Sequence, residues 1–213
     1  MTIQIDTLTV GPLEVNCYIV GCDEHNLCAV IDPGDSPSRI LSVIDGKGWK
    51  IDKIILTHAH ADHTGGIKKI KDTTNAPLLL HKNDAELLTN QAMVDMAQYI
   101  GVKPSPEANE FIEDGAKVDI CPCLSFTILH TPGHTQGGIC LLFGKNLITG
   151  DTLFRMSIGR SDLPGGDGPM LLNSIKTTLF KLPDDITVYP GHGEPTSIGY
   201  EKANNPFLSG AFE

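Results

Sequence analysis

Short apolar segments alternate with glycine or polar breaks along the first third of the chain. TIQIDTLTVG, EVNCYIVG and LCAVID are rich in Val, Ile, Leu and Thr, a composition that predicts three strands. A turn, DPGD at 32–35, follows them. Ser36 as the capping residue and Pro37 in the first turn then predict a helix that carries Ile40 and Ile44 on one face.

A similar order of elements recurs farther along the chain. IDKIILT and APLLLH each predict a buried strand, and the stretch 83–100 predicts a helix. AKVDI, LSFTILH, GICLLF and NLITGD predict four more strands, and a glycine-rich loop then leads into a helix over roughly 170–181. Two strand-rich halves that each end in helix and strand favour an α/β fold, with two sheets packed together and helices outside.

Length and composition limit the possible partners and location. The 213 residues include no convincing linker and no apolar stretch of about 18 residues, so we expect one domain over 1–213 and no membrane partner. Because the N-terminus lacks the features of a secretory signal, we expect a cytoplasmic protein. A net charge of −10 without a basic stripe argues against nucleic acid and leaves a small molecule as the expected partner.

The six cysteines contain no C-x-x-C pair, and their nearest approach is Cys121-Pro122-Cys123. This spacing disfavours a zinc site built from four cysteines, and the expected cytoplasmic setting disfavours disulfides. Most of the cysteines are therefore predicted to be small core residues.

The most unusual stretch is THAHADH at 57–63, which holds three of the chain's eight histidines. His58 and His60 would point to the same side of an extended segment, and Asp62 and His63 follow at a turn. The spacing differs from that of the helical H-E-x-x-H motif. Imidazole and carboxylate together suit zinc, iron or manganese, whereas the alternative is a set of surface or capping histidines.

Three further donors each follow an apolar strand and stand beside a glycine. They are His134 in TPGHTQGG, Asp151 in ITGDT and His192 in VYPGHGE. Loops at strand ends on a rigid scaffold commonly assemble such sites. Together with the first motif they make seven donors, too many for one tetrahedral ion and suitable for two ions that share one carboxylate.

THAHADHTGG, TPGHT, GDTLF and YPGHGEPT together resemble the motifs of the metallo-β-lactamase superfamily, in order and spacing over nearly the whole chain. GRSD after GDTLF, and the terminal GYEKANNPFL, resemble the single-domain glyoxalase II-like hydrolases of that superfamily. The resemblance implies an αββα sandwich of two mixed sheets. It also implies that a first metal is bound by His58, His60 and His134. A second metal would be bound by Asp62, His63 and His192, and Asp151 would bridge the two.

The activity implied by this resemblance is hydrolysis of a small thioester such as S-lactoylglutathione, by a hydroxide that bridges two divalent metal ions. Zinc is the expected metal, with iron or manganese as alternatives, and Asp62 is expected to be catalytic as well as a ligand. Arg160 matches the position of a basic residue near the thiol portion in glyoxalase II-type enzymes, although Asp162 could instead hold it as a structural ion pair. Full-length glyoxalase II adds a C-terminal helical domain that binds glutathione. Because only 21 residues follow His192, we expect no such domain here, and the identity of the thiol stays open.

The main alternative is a persulfide dioxygenase, an oxidoreductase of the same superfamily that uses one iron held by two histidines and an aspartate. It resembles this chain in HADH and in the GRSD element. A lactamase is disfavoured because no secretory signal is seen, and a nuclease because no nucleic-acid-binding segment is seen. A non-catalytic metal-binding protein is disfavoured because no ligand position is substituted.

Overall fold

The computed structural model describes residues 3–163 and 165–208 of the chain. Within these ranges the first half forms a six-stranded sheet, in which the strands follow one another in chain order. The first three strands pair antiparallel and the later ones parallel. The strands are β1 (Ile3–Val10), β2 (Val15–Cys22), β3 (Leu27–Ile31), β4 (Lys50–Ile55), β5 (Leu78–His81) and β6 (Glu110–Ile112).

The second half forms a second six-stranded sheet and a small separate hairpin. In chain order, the strands of the sheet are β7 (Lys117–Cys121), β8 (Leu124–His130), β9 (Ile139–Phe143), β10 (Asn146–Gly150), β13 (Thr187–Pro190) and β14 (Thr196–Ser197). The hairpin consists of β11 (Leu153–Phe154) and β12 (Ser157–Ile158). The order across the sheet is β14-β13-β10-β9-β8-β7, with β10 and β13 parallel, so both sheets are mixed.

The helices are α1 (Pro37–Gly46), α2 (Ile67–Thr74), α3 (Ala85–Thr89), α4 (Gln91–Ile100), α5 (Gly168–Thr177) and α6 (Ile198–Asn204). Ile40 of α1 and Ile67 of α2 pack on one face of the first sheet. Leu171 and Ile175 of α5 pack on one face of the second sheet. No helix among the described residues combines the length and the apolar character that a membrane span requires.

A central core lies between the two sheets. It is formed by residues such as Tyr18 and Ile31 from the first sheet and Phe126 and Leu141 from the second, all of them buried. Successive residues of a strand point to opposite faces, so the neighbouring Ile19 belongs to the layer under the helices instead. Helices therefore cover the outer faces of two packed sheets, and the predicted αββα architecture is confirmed.

One local prediction is wrong, and the predicted N-cap of α1 is at the expected residue but lacks its side-chain hydrogen bond. The helix predicted over 83–100 is divided at Asn90, whose side chain accepts a hydrogen bond from the backbone N–H of Met93 (2.9 Å) and starts α4 as a separate helix. Ser36 precedes α1 but makes no capping hydrogen bond through its side chain. Its backbone is left-handed, with φ 51°.

Candidate metal centre

The loops that follow β4, β8, β10 and β13 meet at one edge of the two sheets. They carry all seven of the metal ligands predicted from the sequence. His192 is tied to the first sheet as well, because it forms an isolated β-bridge with Val15 at the start of β2. Backbone hydrogen bonds thus join the two sheets at this edge.

Three imidazoles make up the first half of the cluster. Nε2 of His134 lies 3.2 Å from Nε2 of His58 and 2.9 Å from Nδ1 of His60. All three residues are buried. Two nitrogens bound at about 2.0–2.1 Å to a tetrahedral ion would be roughly 3.3 Å apart, so these atoms have the spacing of common ligands to one metal.

Asp62, His63 and His192 form the second half. Nε2 of His192 lies 3.4 Å from Oδ2 of Asp62, and Nε2 of His63 lies 3.6 Å from the same oxygen. The carboxylate oxygen and the two nitrogens therefore surround a second point, adjacent to the first.

Asp151 lies between the two halves. Its Oδ2 atom is 3.5 Å from Nε2 of His134 and 3.7 Å from Nε2 of His192. Its Oδ1 atom is 3.5 Å from Nε2 of His63. A single carboxylate thus faces donors of both groups, as the predicted bridging role requires. Gly191 allows this approach, because a Cβ atom at that position would lie 2.2 Å from Oδ1 of Asp151.

The donor set fits divalent cations on an independent ground. Nε2 of His63 and Oδ1 of Asp151 are buried, make no hydrogen bond within the described residues and lie 3.5 Å apart. Buried polar atoms are normally paired, so an unpaired nitrogen and an unpaired carboxylate oxygen that face each other fit a shared cation. Histidine and aspartate without cysteine suit zinc, iron and manganese alike.

The two halves differ in protonation. Burial and the neighbouring imidazoles hold the pKa of His58 well below its usual range and lower the pKa of His60 to about 3. Both side chains are therefore neutral near pH 7 and have a lone pair ready for a metal.

The second half carries the opposite shifts. Burial disfavours a charged His63, but Asp62, Asp151 and Asp32 outweigh it and raise its pKa to about 10. Burial likewise opposes ionisation of Asp62, but the imidazoles of His63 and His192 hold the pKa of this carboxyl well below its usual range. Positive charge is therefore stabilised here, and a cation would take the place of the protons.

Asp32 is a functional residue that sequence reasoning missed. The sequence predicts only a turn at this position. In the structure Asp32 is buried, and its Oδ2 atom lies 3.0 Å from Nδ1 of His63. Thr57 donates to the same carboxylate from its backbone N–H (2.8 Å) and its hydroxyl (2.6 Å). The pairing leaves Nε2 of His63 facing the cluster, and such outer partners orient metal-binding imidazoles. An aspartate at the end of an apolar strand was the available signal.

Asp84 was missed as well, and it connects two of the ligand loops. The side chain is fully buried and accepts hydrogen bonds from the backbone N–H groups of Ala59 (3.0 Å) and Gly137 (2.6 Å) and from the Thr135 hydroxyl (2.8 Å). Burial raises the pKa of this carboxyl despite these bonds. Asp84 thereby joins the loop of His58 and His60 to the loop of His134.

Arg160 contributes to the centre through its backbone. Its carbonyl oxygen accepts a hydrogen bond from Nδ1 of His134 at 2.6 Å, which leaves Nε2 of that ring for the cluster. The guanidinium donates two hydrogen bonds to the Asp162 carboxylate, both at 2.9 Å, and both side chains are exposed. The ion pair anticipated from the sequence is thus present, and its location still allows the arginine to meet a substrate.

A cavity of about 700 Å³ opens onto the cluster. Asp62, His134, Asp151 and His192 are among the residues that line it, and so is Arg160. Much of the remaining wall is apolar and includes Leu13, Met93, Met96, Ile100, Phe154, Ile158 and Leu163. The cavity therefore combines a polar, metal-binding end with apolar sides and one arginine.

Comparison with known proteins places these residues in context. Residues 10–192 match the family model of the metallo-beta-lactamase superfamily, and this span includes all seven predicted ligands. The chain is 34% identical over 213 residues to the hydroxyacylglutathione hydrolase GloC of Haemophilus influenzae. That similarity covers 97% of this chain and 98% of the relative.

Two solved structures are similar over nearly their full length. The B3 metallo-beta-lactamase BLEG-1 is 32% identical with a TM-score of 0.90, covering 97% of this chain and 100% of the other. TTHA1623, solved in a di-iron-bound form, is 36% identical with a TM-score of 0.86, covering 95% of this chain and 100% of the other. These similarities extend to both sheets and to the loops between them.

Proposed function

Since the chain belongs to the metallo-beta-lactamase superfamily, we propose that it is a metal-dependent hydrolase that cleaves small thioesters. The observation that carries the proposal is the cavity, in which apolar walls and one arginine lead to two adjoining groups of metal-binding side chains. An acyl thioester has matching parts, namely an apolar chain, a reactive carbonyl and a thiol portion that is often anionic.

His58, His60 and His134 would hold one divalent ion, Asp62, His63 and His192 a second, and Asp151 would contact both. Bound ions would supply Lewis acidity toward the acyl carbonyl and would lower the pKa of water toward neutrality. We propose zinc as the metal. Iron is the first alternative, because the similar protein TTHA1623 was solved with two irons.

We assign Asp62 a catalytic role besides its role as a ligand. Its carboxylate lines the cavity and stays ionised, because the imidazoles of His63 and His192 outweigh the effect of burial on its pKa. One oxygen lies within 3.6 Å of both imidazoles, and the other can accept a hydrogen bond from a water in the cavity. Asp62 would thereby hold that water in line with the acyl carbonyl.

The relative GloC supports a thioester of glutathione, since its name assigns it hydroxyacylglutathione. In this chain the apolar wall suits the acyl group or the carbon skeleton of the thiol, and Arg160 suits a carboxylate of the substrate. BLEG-1 makes a β-lactam the competing substrate class.

The test is a substrate panel on the purified protein after its metal content has been measured. We expect about two transition-metal ions per chain and release of free thiol from S-lactoylglutathione and related acylthiols, at rates well above those for a β-lactam. Asp62→Asn should abolish thiol release, whereas Asp35→Asn, in a loop that does not line the cavity, should leave it unchanged.

Two results would contradict the proposal. Hydrolysis of β-lactams without hydrolysis of thioesters would make the protein a lactamase. A single iron per chain, no second ion after addition of zinc or manganese, and oxygen consumption with a persulfide would favour the dioxygenase instead.

A further inference from the structure

Three cysteines and a histidine meet where two hairpins approach each other, and we refer to Cys22, His25, Cys121 and Cys123 as the distal cysteine cluster. Cys22 ends β2, and His25 lies in the turn between β2 and β3. Cys121 ends β7, and Cys123 lies in the turn before β8. The cluster thus joins the first sheet to the second.

The candidate ligand atoms of the cluster lie close together. The sulfurs of Cys121 and Cys123 are 3.2 Å apart, and the ligand atoms of the three cysteines and the histidine all lie within 4.8 Å of one another. Nδ1 of His25 is 3.4 Å from the sulfur of Cys22 and 3.5 Å from that of Cys123. The sulfurs of a tetrahedral zinc ion, with bonds of about 2.3 Å, would be roughly 3.8 Å apart. Small side-chain shifts would convert the cluster into a coordination sphere.

We propose that the distal cysteine cluster binds one zinc ion in a structural site. Three thiolates and one imidazole fill all four tetrahedral positions, and sites without an open position serve structure rather than catalysis. Soft sulfur ligands also favour zinc over the hard cations magnesium and calcium. Cys22 and Cys121 are buried, whereas His25 and Cys123 are only partly buried, so an ion could enter from the turns.

The hydrogen bonds within the cluster help to form the first thiolate. Burial raises the pKa of Cys22, but hydrogen bonds from Cys123 and His25 outweigh it and lower the pKa to about 6. The bond to Cys22 raises the pKa of Cys123 to about 12, since that thiol keeps its proton as the donor. A metal ion would displace this second proton, as thiolate coordination requires.

This site is separate from the candidate metal centre. Cys22 stands at one end of β2, and Val15, which pairs with His192, stands at the other end. The eight residues of this strand span roughly 23 Å. Strand β8 likewise separates Cys123 from the loop of His134. A zinc ion in the cluster would fasten the two sheets at the end that the catalytic loops do not reach.

Cobalt provides a selective probe, because only thiolate ligands give a sulfur-to-cobalt charge-transfer band in the near ultraviolet and the candidate metal centre contains no cysteine. The protein is reduced, stripped of metal and titrated with Co²⁺. We expect a charge-transfer band whose final intensity corresponds to one cobalt–thiolate site per chain, besides the cobalt taken up by the candidate metal centre, and which disappears when Zn²⁺ displaces the cobalt. Cys22→Ser and Cys123→Ser should each weaken the band strongly and remove one equivalent of tightly held zinc.

Cys28→Ser is the matched control, because Cys28 is buried on the neighbouring strand β3 and lies outside the cluster. It should keep the band. If a cysteine variant does not fold, His25→Gln in the exposed turn provides a second test and should weaken cobalt binding while three thiolates remain. No band in the reduced wild type, or a band that persists in Cys22→Ser and Cys123→Ser, would overturn the proposal. The proposal would also be overturned if the isolated protein contained a Cys121–Cys123 disulfide and bound no cobalt after that disulfide had been reduced.

Discussion

Asp151 is the residue on which both halves of the candidate metal centre depend. Its two oxygens face His63, His134 and His192, so loss of the carboxylate removes a negative charge from both metal positions. We expect Asp151→Ala to lose both ions and to lower kcat/KM by more than about 100-fold, beyond the range typical of residues that only support a ligand.

The control for Asp151 is His192→Ala, which removes a ligand from one half only. Elemental analysis should show loss of a single ion from this variant. Retention of both metals and near-normal turnover by Asp151→Ala would show that the bridging assignment is wrong.

Asp32 acts through His63 rather than on a metal or substrate. Because its carboxylate holds Nδ1 of His63 at 3.0 Å, Asp32→Asn should loosen the orientation of that ring. The affinity of the second metal position should fall roughly 10–100-fold, as for other outer partners of metal-binding histidines. Competition with a coloured chelator would measure this affinity. Asp35→Asn is the control in the same loop, and a similar loss there would indicate general damage to the loop.

Arg160 is predicted to bind the anionic part of the substrate. A charge that contacts a remote part of the substrate stabilises the ground and transition states equally, so its loss raises KM and leaves kcat nearly constant. Arg160→Ala should therefore raise KM roughly tenfold for anionic acylthiols and little for neutral ones.

Asp162→Ala separates this role from a structural one, because it removes the partner and leaves the arginine. It should preserve or lower KM for anionic substrates. Equal losses on anionic and neutral substrates, with lower melting temperatures in both variants, would show that the ion pair is structural.

Among the secondary-structure elements, helix α4 forms one wall of the cavity. Met93, Met96 and Ile100 line it, and 39% of Met96 remains exposed although the residue is apolar. An apolar surface that faces a reactive site is available to bind the apolar part of a substrate. The break at Asn90 matters for this, because it allows α4 to turn away from α3 and cover the metal-binding loops.

Shortening one side chain of this wall tests its role. Met96→Ala should raise KM for acylthiols with long acyl chains roughly three- to tenfold, at about 0.8 kcal/mol per buried methylene, and should affect short acyl chains less. Met170→Ala is matched in exposure (36%) but lies on α5, outside the cavity, and should change neither value. An equal effect of Met96→Ala on all chain lengths would exclude contact with the acyl group.

At the scale of the whole molecule, the two ends of the sandwich should contribute separately to stability and activity. Zinc at the distal cysteine cluster would link the sheets, so it should raise the Tm by roughly 5–10 °C when free zinc is about 100-fold above its Kd. Calorimetry of protein whose candidate metal centre is already loaded should show this increment on addition of zinc in wild type and Cys28→Ser, but not in Cys22→Ser. The kcat/KM at matched occupancy of the catalytic metals should not change.

Local sequence patterns were enough to predict much of the strand pattern and the layered architecture, and to select seven candidate ligands. Apolar runs of strand length identify buried strands locally, and His58, His134, Asp151 and His192 are each recognisable because a donor beside such a run is a local signal. The resemblance of the motifs to the metallo-beta-lactamase superfamily, which the comparisons confirm, then grouped these donors.

Which residues support the candidate ligands, and which cysteines lie together, depends on contacts between segments that are far apart in the chain. Asp32 reaches His63 across 31 positions of the chain, and Cys123 reaches His25 across 98, so no local pattern connects either pair. Asp84 is one of several acidic residues in polar sequence until folding buries it beneath Ala59 and Gly137. Periodicity reports which face of an element is buried, whereas contacts between distant elements depend on how the two sheets pack.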